Sequence, residues 1–242
     1  MKRRTWLLVG LLAGFGCGDP ATEDDEGLDG GAELGPDYAA IEGNCEADPG
    51  RPADPFIDCI EDFSPSADAA FGHSQLPGII EGPPMGAGEM AGGMDVISLG
   101  CGGSITLAFD EPMPTDGPGP DFIVFENPFV SGSTTFVEPA QVFVSDDGEH
   151  WRSFPCELDG QEGDATGCAG LSPVLAADAT TATNPDTAGG DAFDLADVGL
   201  TRARYIRLVD RSEEHYGSQI WCAAVPGGFD LDAIAVVEGT AR

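Results

Sequence analysis

Four consecutive apolar residues, Phe122-Ile123-Val124-Phe125, lie between GPGPD and Glu126-Asn127-Pro128. A β-branched and aromatic run with no polar alternation reads as a strand covered on both faces. The chain must therefore supply a layer on each side of it. Pro128 stops the ladder by removing a donor and biases Asn127 to an extended backbone. Glu126 is the difficulty, because a buried, unpaired carboxylate costs several kcal/mol. It has to emerge at a rim, pair with an arginine or coordinate a cation. Asp121, at the other end of the run, is about 16 Å away at ~3.3 Å per residue, so the two acids do not share a site.

Other strand signals surround this one. Val96-Ile97-Ser98-Leu99 precedes a Cys101-Gly102-Gly103 turn and then Ser104 to Phe109, with Ile105, Leu107 and Phe109 at period two. Gln141 to Ser145, Asp146-Asp147-Gly148 and Trp151 to Phe154 read as a hairpin, with Gly148 at positive φ. Arg204 to Val209 and Phe229 to Val237 are two more strands. Helical signals are confined to single turns near Phe63 to Phe71 and Phe193 to Val198. With 35 Gly and 19 Pro in 242 residues, turns are abundant. The fold expected is all-β: a β-sandwich of jelly-roll type with long loops, built from about eight strands.

The first residues, MKRRTWLLVGLLAGFGCGDP, are not part of that fold. Three basic residues precede an apolar stretch, Trp6 to Phe15, too short to span a bilayer as a stable helix. Residues 1–16 read as an export signal. Cys17 follows Gly14 and Gly16 at the −3 and −1 positions, so the segment resembles a bacterial lipoprotein signal with Cys17 as the lipidated residue; ordinary signal cleavage is the alternative. Residues 17–44 are acidic and glycine-rich and read as a disordered tether, leaving 45–242 as the domain. Without Cys17, six cysteines remain: Cys45, Cys59, Cys101, Cys156, Cys168 and Cys222. In an oxidising compartment they suit disulfides. Cys156 with Cys168 and Cys45 with Cys59 are the nearest local pairs, and Cys101 with Cys222 would complete the set; the sequence alone leaves fifteen pairings open, with one or two buried free thiols as the alternative. The chain has 43 acids and a net charge of −33. That excludes nucleic acid and anionic membrane faces as natural partners.

Three stretches carry a family resemblance. SDDGEHW (Ser145 to Trp151), ARYIRLV (Ala203 to Val209) and GFDLDAIAVV (Gly228 to Val237) resemble the discoidin-type, galactose-binding-like β-sandwich. SLGCGGSITLAF, GPGPDFIVFENPF, AGGDAFDLADVGL and GFDLDAIAVV are similar to a group of exported bacterial surface proteins of largely unknown function. The resemblance covers roughly residues 70–238. It implies a jelly roll, a non-catalytic role, a structural calcium ion and carbohydrate binding at loop tips. A long insertion at about 155–195 departs from the standard domain.

Asp230 and Asp232 sit at i and i+2, so on a strand both carboxylates face one side. Calcium takes 6–8 oxygens, and Glu126, Asp230 and Asp232 could supply three. The alternatives are a counter-charge from Arg204 or Arg207, or solvated acids. Asp186, Asp191, Asp194 and Asp197 form a further acidic group, in which Asp194 and Asp197 suit the capping of a short turn. Catalytic patterns are scarce: the histidines, His73, His150 and His215, are far apart, and no zinc-protease, nucleophile-elbow or phosphate-loop motif occurs. Paired carboxylates for glycoside hydrolysis are the residual enzymatic reading. Asn127, His215, Tyr216 and Trp221 are candidate ligand contacts, the aromatics as a sugar-stacking loop between the last two strands. Trp151 reads either as a sugar platform or as a core residue. The function expected is a calcium-stabilised, glycan-binding lipoprotein of the cell envelope or surface, or a secreted form of it. A structural or adaptor protein that binds another envelope protein is the second reading.

Overall fold

The computed structural model describes residues 38, 43, 45, 53–67, 69–158, 165–217 and 227–237. The signal segment, Cys17 and Trp221 lie outside the described residues. The chain is all-β and antiparallel. Its larger sheet contains β1 (Cys59–Ser64), β3 (Ser104–Ala108), β7 (Ala140–Ser145), β8 (Arg152–Ser153) and β12 (Tyr205–Asp210), in the spatial order β1-β3-β12-β7-β8. A three-stranded sheet orders β11 (Asp191–Phe193), β4 (Phe122–Phe125) and β14 (Ala233–Val236) with β4 in the middle. Short pairs complete the fold: β2 (Ile97–Ser98) with β13 (Asp230–Leu231), β5 (Phe129–Ser131) with β6 (Thr134–Phe136), and β9 (Glu157–Leu158) with β10 (Ala165–Thr166).

Alternation decides where each side chain goes. Ile105 and Leu107 of β3, Val142 and Val144 of β7, and Ile206 and Leu208 of β12 point inward from the larger sheet. They meet Phe122 and Val124 of β4 and Ile234 and Val236 of β14 in one core. The opposite face of β4, Ile123 and Phe125, packs in a second core with Phe56, Ala233, Ala235, Val174, Ala176, Ala182 and Ala188. Most of this second cover, Val174, Ala176, Ala182 and Ala188, comes from the insertion at about 155–195, which includes α1 (Ala179–Ala182), N-capped by Asp178 through Thr180 and Thr181 N–H. That is the covering layer which the unbroken apolar run demands.

Local details follow the sequence closely in places. The β7–β8 hairpin is tied by its own side chains: Ser145 Oγ accepts Gly148 N–H (2.9 Å), and Asp147 Oδ1 accepts the N–H groups of Glu149 (2.9 Å) and His150 (2.8 Å). Gly148 has φ +75°, the left-handed region that glycine enters without steric cost. Asp194 caps the 3-10 turn Leu195–Val198 by accepting Ala196 N–H.

Other expectations need correction. The early helical turn falls at His73–Gln75 rather than near Phe63 to Phe71, because β1 extends through Ser64. The terminal strand, expected unbroken from Phe229 to Val237, divides at Asp232: β13 pairs with β2 and β14 with β4. Beyond Phe125 the β4 backbone turns into Pro128 and offers no further ladder, so the incoming strand changes partner. Compact structure also starts before Cys45. Tyr38 packs edge-on against Phe63 and bonds His73 Nδ1 (2.6 Å), and Gly43 N–H donates to Ile60 O.

Cys45–Cys59 and Cys156–Cys168 are disulfides, the two local pairs expected. Cys101 is also disulfide-bonded, and its expected partner Cys222 lies outside the described residues. Such bonds place the protein in an oxidising, extracytoplasmic compartment. Among the described residues, no helix is long and apolar enough to cross a membrane.

Candidate metal centre

Glu126 does not emerge at the rim. Its side chain is 1% exposed, and its Oε1 accepts Asp230 N–H (3.3 Å) where a backbone carbonyl would continue the ladder. Glu138, just before β7, and Asp230, on β13, complete a group of three buried carboxylates. One oxygen from each lies within 4.8 Å of the others. Glu138 and Asp230 are 4% and 5% exposed, so water cannot screen the three charges.

The hydrogen bonds leave part of this group unanswered. Glu138 Oε1 accepts Gly228 N–H at 2.7 Å, and Asn127 Nδ2 donates to Asp230 Oδ2 at 3.5 Å. Among the described residues, Glu126 Oε2 and Asp230 Oδ1 are buried without a hydrogen-bond partner. No arginine forms an ion pair with any of the three among the described residues. Arg204 instead pairs with Asp110 (3.6 Å), and Arg207 donates to Thr106 Oγ1 (2.9 Å). Burial is the main force on all three acids; repulsion from the other trio members comes second for Glu126 and from Asp230 for Glu138, whereas Asp230 is repelled only by Asp210. Burial pushes Glu126 well above the ordinary carboxylate range, Glu138 to about 9 and Asp230 to about 7. Such a group holds protons in the absence of a cation, or exchanges them for one.

Neighbouring acids are different in kind. Asp210 is buried and raised by that burial, but its oxygens accept Gly102 N–H, Phe229 N–H, Ser212 N–H and Ser212 Oγ–H. Asp232, expected in the metal group, lies apart from it: both of its oxygens accept Met85 N–H at 3.1 Å. Burial raises Asp232 to about 7. Asp121 gathers with Asp116 and Asp194, away from Glu126 as expected, but Gly117 and Leu195 N–H groups satisfy its two oxygens. Asp191 is raised by burial to about 6 and accepts Leu171 and Ser172 N–H.

The expected ligand contacts scatter. Asn127 is half-buried beside the acids, donating also to Gly93 O (3.0 Å). His215 and Tyr216 are not on a loop: Ser212–Tyr216 form α2, where Glu213 and Glu214 suit the positive end of the first turn. His215 is 2% exposed, which removes its ring from any open sugar platform. Tyr216 stacks on Phe136 and donates its hydroxyl to Val137 O (2.7 Å). Trp151 is half-buried, with its ring against Arg207. Glu138 was missed by sequence reasoning. The available signal was an acid directly ahead of a buried strand, in Glu138-Pro139-Ala140, the mirror of the acid directly behind Phe125.

The fold and the acid cluster together define an exported, antiparallel β-sandwich protein with a buried oxygen-donor site. Comparison with protein-family models, curated proteins and solved structures finds no match.

Proposed function

We propose that this protein is a non-catalytic binding module of the cell envelope or surface, stabilised by calcium and directed at glycans. The observation that carries the cation is the trio Glu126, Glu138 and Asp230, buried together with no arginine among the described residues to balance them. All the donors are oxygen, which suits a hard cation. Three carboxylates in one protein pocket suit calcium better than magnesium, which prefers to keep several waters. The trio links three separate segments: the end of β4, the approach to β7, and β13. A cation there would fix the strand ends from which the loops project. The lipoprotein-like signal and the resemblance to galactose-binding-like jelly rolls support envelope anchoring and sugar as the ligand class. Three exposed methionines, Met85, Met90 and Met94, favour the second reading, a protein partner, because thioethers adapt to many apolar surfaces.

A glycan array probed with calcium and with chelator tests the proposal. Calcium-dependent binding to sugars is the expected outcome. An array without hits under both conditions, together with recovery of a defined envelope-protein complex, transfers the function to the adaptor reading.

A further inference from the structure

The outward face of the larger sheet carries an arginine with no acid partner among the described residues. In register across the sheet, Asp62 pairs with Thr106, Thr106 with Arg207, Arg207 with Phe143, and Phe143 with Ser153. Along β12, Ile206 and Leu208 are buried while Tyr205, Arg207 and Val209 are half-buried on the other face. Arg207 is held from two sides. Its Nε donates to Thr106 Oγ1 at 2.9 Å, and its guanidinium lies 4.2 Å from the centre of the Trp151 ring. Trp151 is itself fixed, since its Nε1–H donates to Gly148 O at 3.0 Å within the knotted hairpin turn.

The remaining nitrogens of Arg207 have no hydrogen-bond or ion-pair partner among the described residues. Other arginines of the same region do find acids: Arg202 with Asp146, Arg204 with Asp110, and Arg211 with Glu214. In a chain of 43 acids, carboxylates are plentiful. Cation–π packing alone explains why Arg207 lies on Trp151. It does not explain why the outer edge of a pre-oriented guanidinium is left unpaired.

We propose that Arg207, braced by Trp151 and Thr106, binds the carboxylate of a uronic-acid sugar on the outer face of this sheet. This rests on the glycan-binding reading above, and gives it a ligand class and a place. A guanidinium presents parallel N–H groups that match a carboxylate in two bonds, and its orientation here is already set. Phe143 and Tyr205 flank it and offer apolar surface to the C–H faces of a sugar ring. Asp62 lies in the same row two strands away, about 10 Å at ~4.8 Å per strand. One isolated carboxylate is largely screened from it over a Debye length of about 8 Å, whereas a dense polyphosphate would meet the whole acidic surface. Uronic acid, with one charge per ring, fits both limits.

Calorimetric titration of the full chain in calcium buffer tests this, using galacturonate and glucuronate oligosaccharides against neutral oligosaccharides of equal length. Acidic oligomers should bind more tightly than neutral ones and perturb Trp151 fluorescence. Arg207→Gln should weaken acidic binding at least about tenfold. Arg207→Lys, which keeps the charge and the packing stem, should lose most of the preference for acidic over neutral sugar, and it serves as the readout if the glutamine variant fails to fold. Equal binding of acidic oligomers by the native and variant proteins would place the site elsewhere while leaving glycan binding intact. Equal affinity for neutral sugars would overturn the carboxylate assignment. Absence of binding to every sugar would overturn this inference and the glycan reading together.

Discussion

With no cation in the acid trio, the protein should be unusually sensitive to alkali. Asp230 has its carboxyl raised from 3.8 to about 7, chiefly by burial. A group whose folded pKa is raised keeps its proton to higher pH when folded than when unfolded. Its contribution is complete below the unfolded value near 4 and is lost as pH rises through the folded value. Three units at 1.36 kcal/mol each make the loss about 4 kcal/mol for Asp230 alone. Against a total stability of about 5–15 kcal/mol, that is a large fraction. At roughly 2–4 °C per kcal/mol for a domain of this size, the melting midpoint should fall by roughly 8–16 °C. Glu138, raised to about 9, extends the decline to higher pH. Calcium bound at the proposed site would replace the protons and should recover about 2.7 kcal/mol at a hundredfold excess over its dissociation constant. The assay is a calorimetric melting series from about pH 5 to about pH 9, in chelator and in calcium. Part of the decline should persist in calcium, because Asp232, raised to about 7, lies outside the trio. Glu126→Gln should reduce the calcium response and soften the alkaline decline in chelator. A midpoint in chelator that is flat or rises with pH would refute the burial argument, and an alkaline midpoint unmoved by calcium would refute the cation.

Three substitutions test the packing. Phe125→Ala empties the second core and should cost about 3–5 kcal/mol in a denaturant titration, with Ile123→Val costing about 1 kcal/mol. Gly72→Ala should destabilise sharply, because φ is +76° and an added Cβ would lie 2.0 Å from Val96 O; a melting midpoint equal to that of the native protein would show that this turn relaxes freely.

What the sequence revealed depended on how local the cause was. Alternation in Ser104 to Phe109 and the turn chemistry of Ser145 to Trp151 act over a few residues, and the structure reproduces them. The bilateral burial of Phe122 to Phe125 was legible too, but not the identity of the second cover, which comes from the distant insertion. Of the three acids assigned to a cation, Glu126 and Asp230 do meet. Asp232 does not, since the strand changes partner beside it and Met85 N–H captures its carboxylate. Glu138 joins them through tertiary contact alone. His215 was misread as loop because nothing short-range marks Ser212 to Tyr216 as helical except two acids in its first turn.

The insertion over the small sheet has an engineering consequence. Its alanines and Val174 are the outer wall of a hydrophobic layer, not decoration added to a finished domain. A trimmed variant lacking residues 171–189 would bare Ile123 and Phe125 on a short sheet, a greasy surface ready to recruit a second molecule. Shortening this protein to a minimal scaffold should therefore begin at its other loops.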